Sequence, residues 1–146
     1  MKIPPEVAIK STLRPGTVFY FVADEIKSKE PHRFIVLNHD PQKDVLLILV
    51  STSSQIVHFK TLRGNCPGST LVEISEKEYS GLTKPSIVDC NKVFLRTVDE
   101  IIAKWKNNEL KLKDDISIEI VKKLRQGVLD SNIIEPYEKD ILRQTK

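Results

Sequence analysis

His32 and Arg33 stand side by side at the start of an apolar run that ends near Asn38, and they offer different chemistry to an anionic ligand. Histidine titrates near neutral pH and serves as an acid or a base. Arginine stays charged and grips a phosphate with a planar fork, but it is a poor proton donor. The run Arg33 to Asn38 reads as a strand, where neighbouring side chains point to opposite faces, so only one of the two can aim at a given groove. The sequence leaves open which one. Each also has a purely structural reading, Arg33 as a strand-end charge pairing with Glu30 or Asp24, and His32 as a loop-edge residue satisfied by backbone. After the next apolar run come four hydroxyl-bearing residues, Ser51-Thr52-Ser53-Ser54. Their hydroxyls can serve a site, or can bond nearby backbone as in an ordinary turn.

The other ligating residues are sparse. Cys66 and Cys90 are far apart with no CxxC spacing, and no paired spacing joins them to His32, His39 or His58. Two reduced structural thiols and no metal centre are therefore expected. His58 and Lys60 read as a solvated strand face.

The elements that must position these groups follow from periodicity. The arm through Leu13 reads as partly ordered, and Arg14-Pro15-Gly16 as a turn. Thr17 to Val22, Arg33 to Asn38 and Asp44 to Val50 read as three strands, the last apolar on both faces and hence central. Asp24 to Pro31 is a polar, mobile loop, His39-Asp40-Pro41 a turn, and Thr61 to Gly68 a second loop. Thr70 to Ile74 alternates as a strand with one wet face. Ser75 to Glu78 has capping-box chemistry for one helical turn. Ser86 to Cys90 and Lys92 to Thr97 are two more short strands. From Val98 the period changes: Val98, Ile101, Ile102 and Trp105 share a helical face, and Ile120, Val121, Leu124 and Val128 form a buried stripe after Ser117, a plausible N-cap. A last short helix falls near Tyr137 to Leu142.

At 146 residues, with 40% hydrophobic and 29% charged residues, the chain suits one folded domain with its own core. No apolar run reaches the roughly 18 to 20 residues of a membrane span, and Met1 to Pro5 lacks the pattern of a signal peptide. A cytoplasmic setting is expected. The net charge of +3 permits contact with nucleic acid without demanding it.

This order of elements resembles the MazF/PemK growth-inhibitor toxins. The likeness spans Pro15 to Leu129. Pro15-Gly16-Thr17-Val18-Phe19-Tyr20 is similar to the family's opening strand, and His32-Arg33-Phe34-Ile35-Val36-Leu37-Asn38 to its second. Val50-Ser51-Thr52-Ser53 resembles the end of its third. Thr70 to Ile74, Gly81 to Val88 and Arg96-Thr97-Val98-Asp99 follow in the family's order. The sequence departs from the pattern where Phe34 replaces proline after the arginine, where about two extra residues fall around Lys92 to Leu95, and in a longer region past Leu129.

The resemblance implies an α+β fold, a small SH3-like β-barrel of the CcdB/PemK type over residues 14–97, with C-terminal helices over 98–146 packed on one end. It implies a metal-independent endoribonuclease without cofactors, acting on single-stranded RNA as a homodimer that a cognate antitoxin neutralises, with no membrane partner. Carried over, Arg33 becomes the phosphate-binding cation and Thr52 the hydroxyl, with Ser53 next in line. An alignment set by Asn38-His39-Asp40 puts His32 in the arginine's place instead. Of the nearby aromatics Phe19, Phe34 and Tyr20, several must be core. The other reading is a module that keeps the barrel, has lost the chemistry, and binds protein or nucleic acid.

Overall fold

The computed structural model of the protein describes residues 3–143. Met1 and Lys2 of the expected arm, and 144–146 of the C-terminal region, lie outside the described residues.

The β-branched and aromatic runs form strands β1 (Val18–Phe21), β2 (His32–Val36) and β3 (Leu46–Ser53). They are consecutive antiparallel neighbours, with Phe19 opposite Phe34 and Ile35 opposite Val50, as their short connections require. β3 runs on through the hydroxyl residues to Ser53 instead of stopping at Val50, because β5 (Ser86–Asp89) pairs with Thr52 and Ser53. β4 (Leu71–Ile74) lies beyond β5, and β6 (Phe94–Thr97) pairs with the first half of β3. Two β3 residues separate Leu49 from Thr52, but five separate their partners Val88 and Phe94. β5 and β6 are thus one strand broken by an excursion over 89–93, and the insertion expected near Lys92 overlaps it.

β7 (Leu110–Lys113) pairs with the outer side of β1. Its four-residue alternation carries little signal in the sequence until β1 supplies its partner. Among the described residues the sheet runs β4-β5-β3-β2-β1-β7, with β6 beside β3. β4 and β7 do not pair, so the sheet is open and the expected closed SH3-like barrel is not formed, whereas the α+β class is.

A physical reason for the opening lies in where the helices sit. They cover both faces of the sheet, not one end of it, and the inside of a small closed barrel has room only for side chains. One face buries Phe19, Phe21, Phe34, Val36, Leu47 and Leu49 beneath α1 (Pro5–Thr12) and α3 (Val98–Lys106). The other buries Val18, Ile35, Leu37, Ile48 and Val50 beneath α4 (Ile118–Asp130) and α5 (Pro136–Arg143). The apolar continuity of β3 serves both layers. α1 replaces much of the expected loose arm: proline is tolerated in a first helical turn, and Ile9 and Leu13, four apart, are both buried. α3 starts at a capping box in which the Glu100 N–H donates to Thr97 Oγ1 (3.0 Å) and the Thr97 N–H to the Glu100 carboxylate (2.7 Å). Trp105 is half-buried against the α1/α3 layer.

α4 begins at Ser117, whose hydroxyl accepts the Ile120 N–H, and it buries Ile120, Val121, Leu124 and Val128 as the stripe predicts. Leu124 is wholly buried, so Leu124→Ala should cost about 2 to 5 kcal/mol in urea denaturation. A loss under about 1 kcal/mol would mean that the stripe does not bear on the core. Among the described residues no helix is long and apolar enough to cross a membrane.

Candidate functional site

The last ladder pair between β2 and β3 sets Phe34 against Ser51. Carried one step further, that register sets Arg33 against Thr52, and two steps further His32 against Ser53. Alternation then sends Arg33 and Thr52 to the α4 face, and His32 and Ser53 to the face of Phe34 and the α1/α3 layer. Two clefts flank the β3 end: Arg33 lines the smaller one, and His32 lines both.

The cleft that holds Arg33, of about 310 Å³, is lined also by Tyr20, Glu30, Thr52, Lys84 and Ser86. Arg33 is half-buried, and its guanidinium carbon lies 5.3 Å from the centre of the Tyr20 ring. Lys113 Nζ lies 4.8 Å from the same ring centre. Among the described residues Arg33 makes no ion pair, and its Nε is buried without a hydrogen-bond partner. The pairing with Glu30 or Asp24 that the sequence allows is therefore not formed. Thr52 is only 7% exposed, and its hydroxyl makes no hydrogen bond among the described residues. Ser53 behaves otherwise: its Oγ accepts the Gln55 N–H (3.1 Å), the ordinary turn chemistry of a serine before a helix.

The opposite cleft, of about 460 Å³, lies beneath the Asp24–Pro31 loop and α2 (Ile56–Leu62). His32, His58, Arg63, Asp89 and Lys92 line it together with Phe59 and Phe94. His32 Nδ1 lies 3.0 Å from the Glu30 carbonyl oxygen. A carbonyl only accepts, so Nδ1–H is the donor of this contact and Nε2 makes no hydrogen bond among the described residues. The backbone satisfaction that the sequence allows for His32 is present. His32, Thr52, Ser53, Ser28 and Gln55 line both clefts, which therefore meet over the end of β3.

Several of these residues escape sequence reasoning. Arg63, Asp89 and Lys84 lie far from the His32-Arg33 pair in the chain, and only the β3–β5 pairing gathers them. His58 and Lys60 are on helix α2, not on a strand. The β-branched start of α2 favours a strand by propensity, yet it is a helix lying against β4 and β5, with Lys60 Nζ 2.7 Å from the Glu73 carboxylate. Phe19 and Phe34 are fully buried, which leaves Tyr20 as the aromatic of that trio able to meet a ligand. Among the described residues no three His, Cys, Asp or Glu side chains gather into a metal-holding group, and Cys66 and Cys90 are free thiols. Burial pushes the Cys90 thiol well above its ordinary range, which keeps it protonated and inert.

The loop over the larger cleft, expected to be mobile, is held by Ile26, which packs against the α1/α3 layer, and by an ion pair at Glu25. Arg96 donates to both Glu25 carboxylate oxygens, at 2.8 Å and 2.6 Å. That contact holds the Glu25 carboxyl below its ordinary range, against the opposing effect of burial. A lowered folded-state value means that the stabilisation is present above the ordinary carboxylate range and is lost as pH falls through the folded value. Glu25→Gln should therefore raise hydrogen exchange across 26–30 at neutral pH by about two- to fivefold, since a pair whose carboxylate is 38% exposed contributes at most about 1 kcal/mol. Acidification of the wild type should give the same rise after correction for intrinsic rates. Unchanged protection in both experiments would show that the loop is held elsewhere. Comparison of the chain with protein-family models and with curated protein sequences finds no match.

Proposed function

We propose that the protein is a metal-independent endoribonuclease acting on single-stranded RNA, a divergent relative of the MazF/PemK toxins. The observation that carries the reading is the convergence of Arg33 and Thr52 on one face, beside the point where the two clefts meet. Cleavage of this kind has a 2′-hydroxyl attack the adjacent phosphorus. It needs a proton acceptor, a proton donor for the leaving 5′-oxygen, and a cation for the charge that gathers on phosphate. Arg33, without a carboxylate partner among the described residues, is the cation. Thr52 donates its hydroxyl to the phosphate, while Glu30 and His32 Nε2 are the groups able to take and return the proton. Tyr20 offers a face for a splayed base, as single strands allow.

The kinship is supported by the antiparallel run β1-β2-β3 and by α3 beginning at Thr97-Val98, and it casts the sheet as an SH3-like barrel opened between β4 and β7. It carries with it a cytoplasmic setting, a homodimer and a cognate antitoxin. The test is incubation of the purified protein with mixed-sequence RNA in EDTA, where cleavage should persist. A second reading, a module that binds RNA or protein without cutting, is favoured by the stacking of Arg33 on Tyr20, which holds the guanidinium in place without any substrate. RNA left intact at high protein concentration, with binding retained, would establish that reading in place of the first.

A further inference from the structure

Arg63, at the C-terminal end of α2, is held through a single carboxylate that is itself held by a buried network. Its Nε donates to Asp89 Oδ2 at 2.9 Å, and the Asp89 side chain is only 7% exposed. Asp89 Oδ1 accepts from the Asn91 backbone N–H (3.0 Å) and from Asn91 Nδ2 (2.9 Å). Asn91 Nδ2 also donates to Thr70 Oγ1 (2.9 Å), and Asn91 Oδ1 accepts from Ser131 Oγ (2.8 Å). The 89–93 excursion, the turn before β4 and the end of α4 thus combine to orient one carboxylate, which orients one guanidinium.

A buried ion pair is weak evidence for stability, since desolvation offsets most of its attraction. What this network does achieve is an arginine whose Nε edge is oriented before any ligand arrives. Guanidinium carries five N–H donors, and Asp89 takes one. Among the described residues Nη1 and Nη2 make no hydrogen bond, and the side chain lines the larger cleft. Lys92 brings a second cation there, and Phe59 and Phe94 supply apolar walls. Its volume, about 460 Å³, falls within the roughly 300 to 1,000 Å³ of small-ligand sites.

We propose that this cleft is a nucleotide subsite on the RNA path, one step along from Arg33 and Thr52, in which Arg63 holds a backbone phosphate and Phe59 receives the base. The inference rests on the RNA-cleaving reading for its substrate. The groove is continuous over the β3 end through His32, Thr52 and Ser53, so one strand can occupy both clefts. Phosphate suits the free edge of Arg63 because that edge forms two parallel charge-assisted hydrogen bonds. A base suits Phe59 because stacking accepts any π-face.

The test measures binding, not cleavage, with a mixed-sequence 2′-O-methyl RNA hexamer, which lacks the attacking hydroxyl. Arg63→Gln should weaken its binding about tenfold or more, and Lys92→Gln, an exposed change that leaves the core intact, about threefold. In the wild type, NMR signals of His58 and Phe59 should shift with the hexamer, and also with 5′-AMP but far less with adenosine. Hexamer affinity unchanged in Lys92→Gln and in folded Arg63→Gln overturns the subsite, as do shifts confined to Tyr20 and Arg33. A wild type that binds the hexamer in this cleft yet leaves ordinary RNA intact keeps the subsite and removes the nuclease.

Discussion

Under the proposed RNA-cleaving function, Arg33→Ala and Thr52→Ala should each lower the RNA cleavage rate by about 10² or more while the protein stays folded. The size follows from what each group does. Removing a preset charge or donor from the phosphate of a pentacoordinate transition state costs most in a site partly closed to water, and Arg33 and Thr52 are half-buried and buried. The two losses should not add, because both groups act on one transition state and either deletion already misplaces the phosphate. Arg33→Lys should recover little, since a point charge cannot replace the fork. Folding is not expected to suffer, as neither side chain makes an ion pair or side-chain hydrogen bond among the described residues. Single-turnover assays in EDTA on all four proteins, wild type, both single variants and the double, give the answer. Near-normal cleavage by either single variant would remove that residue from the chemistry.

Phe34→Ala should destabilise the protein by about 3 to 5 kcal/mol, read as a lower urea midpoint at unchanged slope. Phe34 follows the candidate cation directly, and its ring is fully buried. It stacks on Phe21 with centroids 4.3 Å apart and meets Phe94 edge-on at 5.0 Å. Its two ring contacts join β1, β2 and β6. The MazF/PemK pattern that the sequence resembles has proline here, but in this chain β2 is paired on both sides at Phe34, by Phe19 and by Ser51. Proline would remove a ladder donor from a central strand. The departure from Arg-Pro to Arg33-Phe34 is therefore read as a packing choice that aims Arg33 by anchoring its neighbour. If the variant unfolds at nearly the wild-type urea concentration, Phe34 is not the anchor. Retained cleavage in a folded Phe34→Ala protein would separate its structural part from the chemistry.

Much of the chain announced its own local structure. Strands β1 to β6 are visible as β-branched or aromatic runs bounded by turn residues, and α3 and α4 as apolar stripes opened by Thr97 and Ser117. These signals survive because a half-buried strand or helix must repeat its apolar residues with its own period, whatever it packs against. The reciprocal bonds of Ser75 and Glu78 (2.9 Å and 3.2 Å) are legible for the same reason, since both partners lie within one turn. What stayed hidden depends on distant partners. α1 needs the surface of α3 to be more than a loose arm, β7 needs the edge of β1, and α2 is helical against β4 and β5 despite its β-branched start.

The candidate site divides along the same line. By itself the sequence determined which residue types are at hand, and strand alternation determined that His32 and Arg33 face opposite ways. Whether the sheet closes, and hence that two clefts exist where one groove was expected, was decided by helices on both faces that no periodicity encodes. Only the tertiary structure brought Arg63 and Asp89 beside His32, because the register of β3 against β5 joins residues more than thirty positions apart in the chain. Local patterns record the face a residue must bury, and the company it keeps there is set by how the faces are stacked.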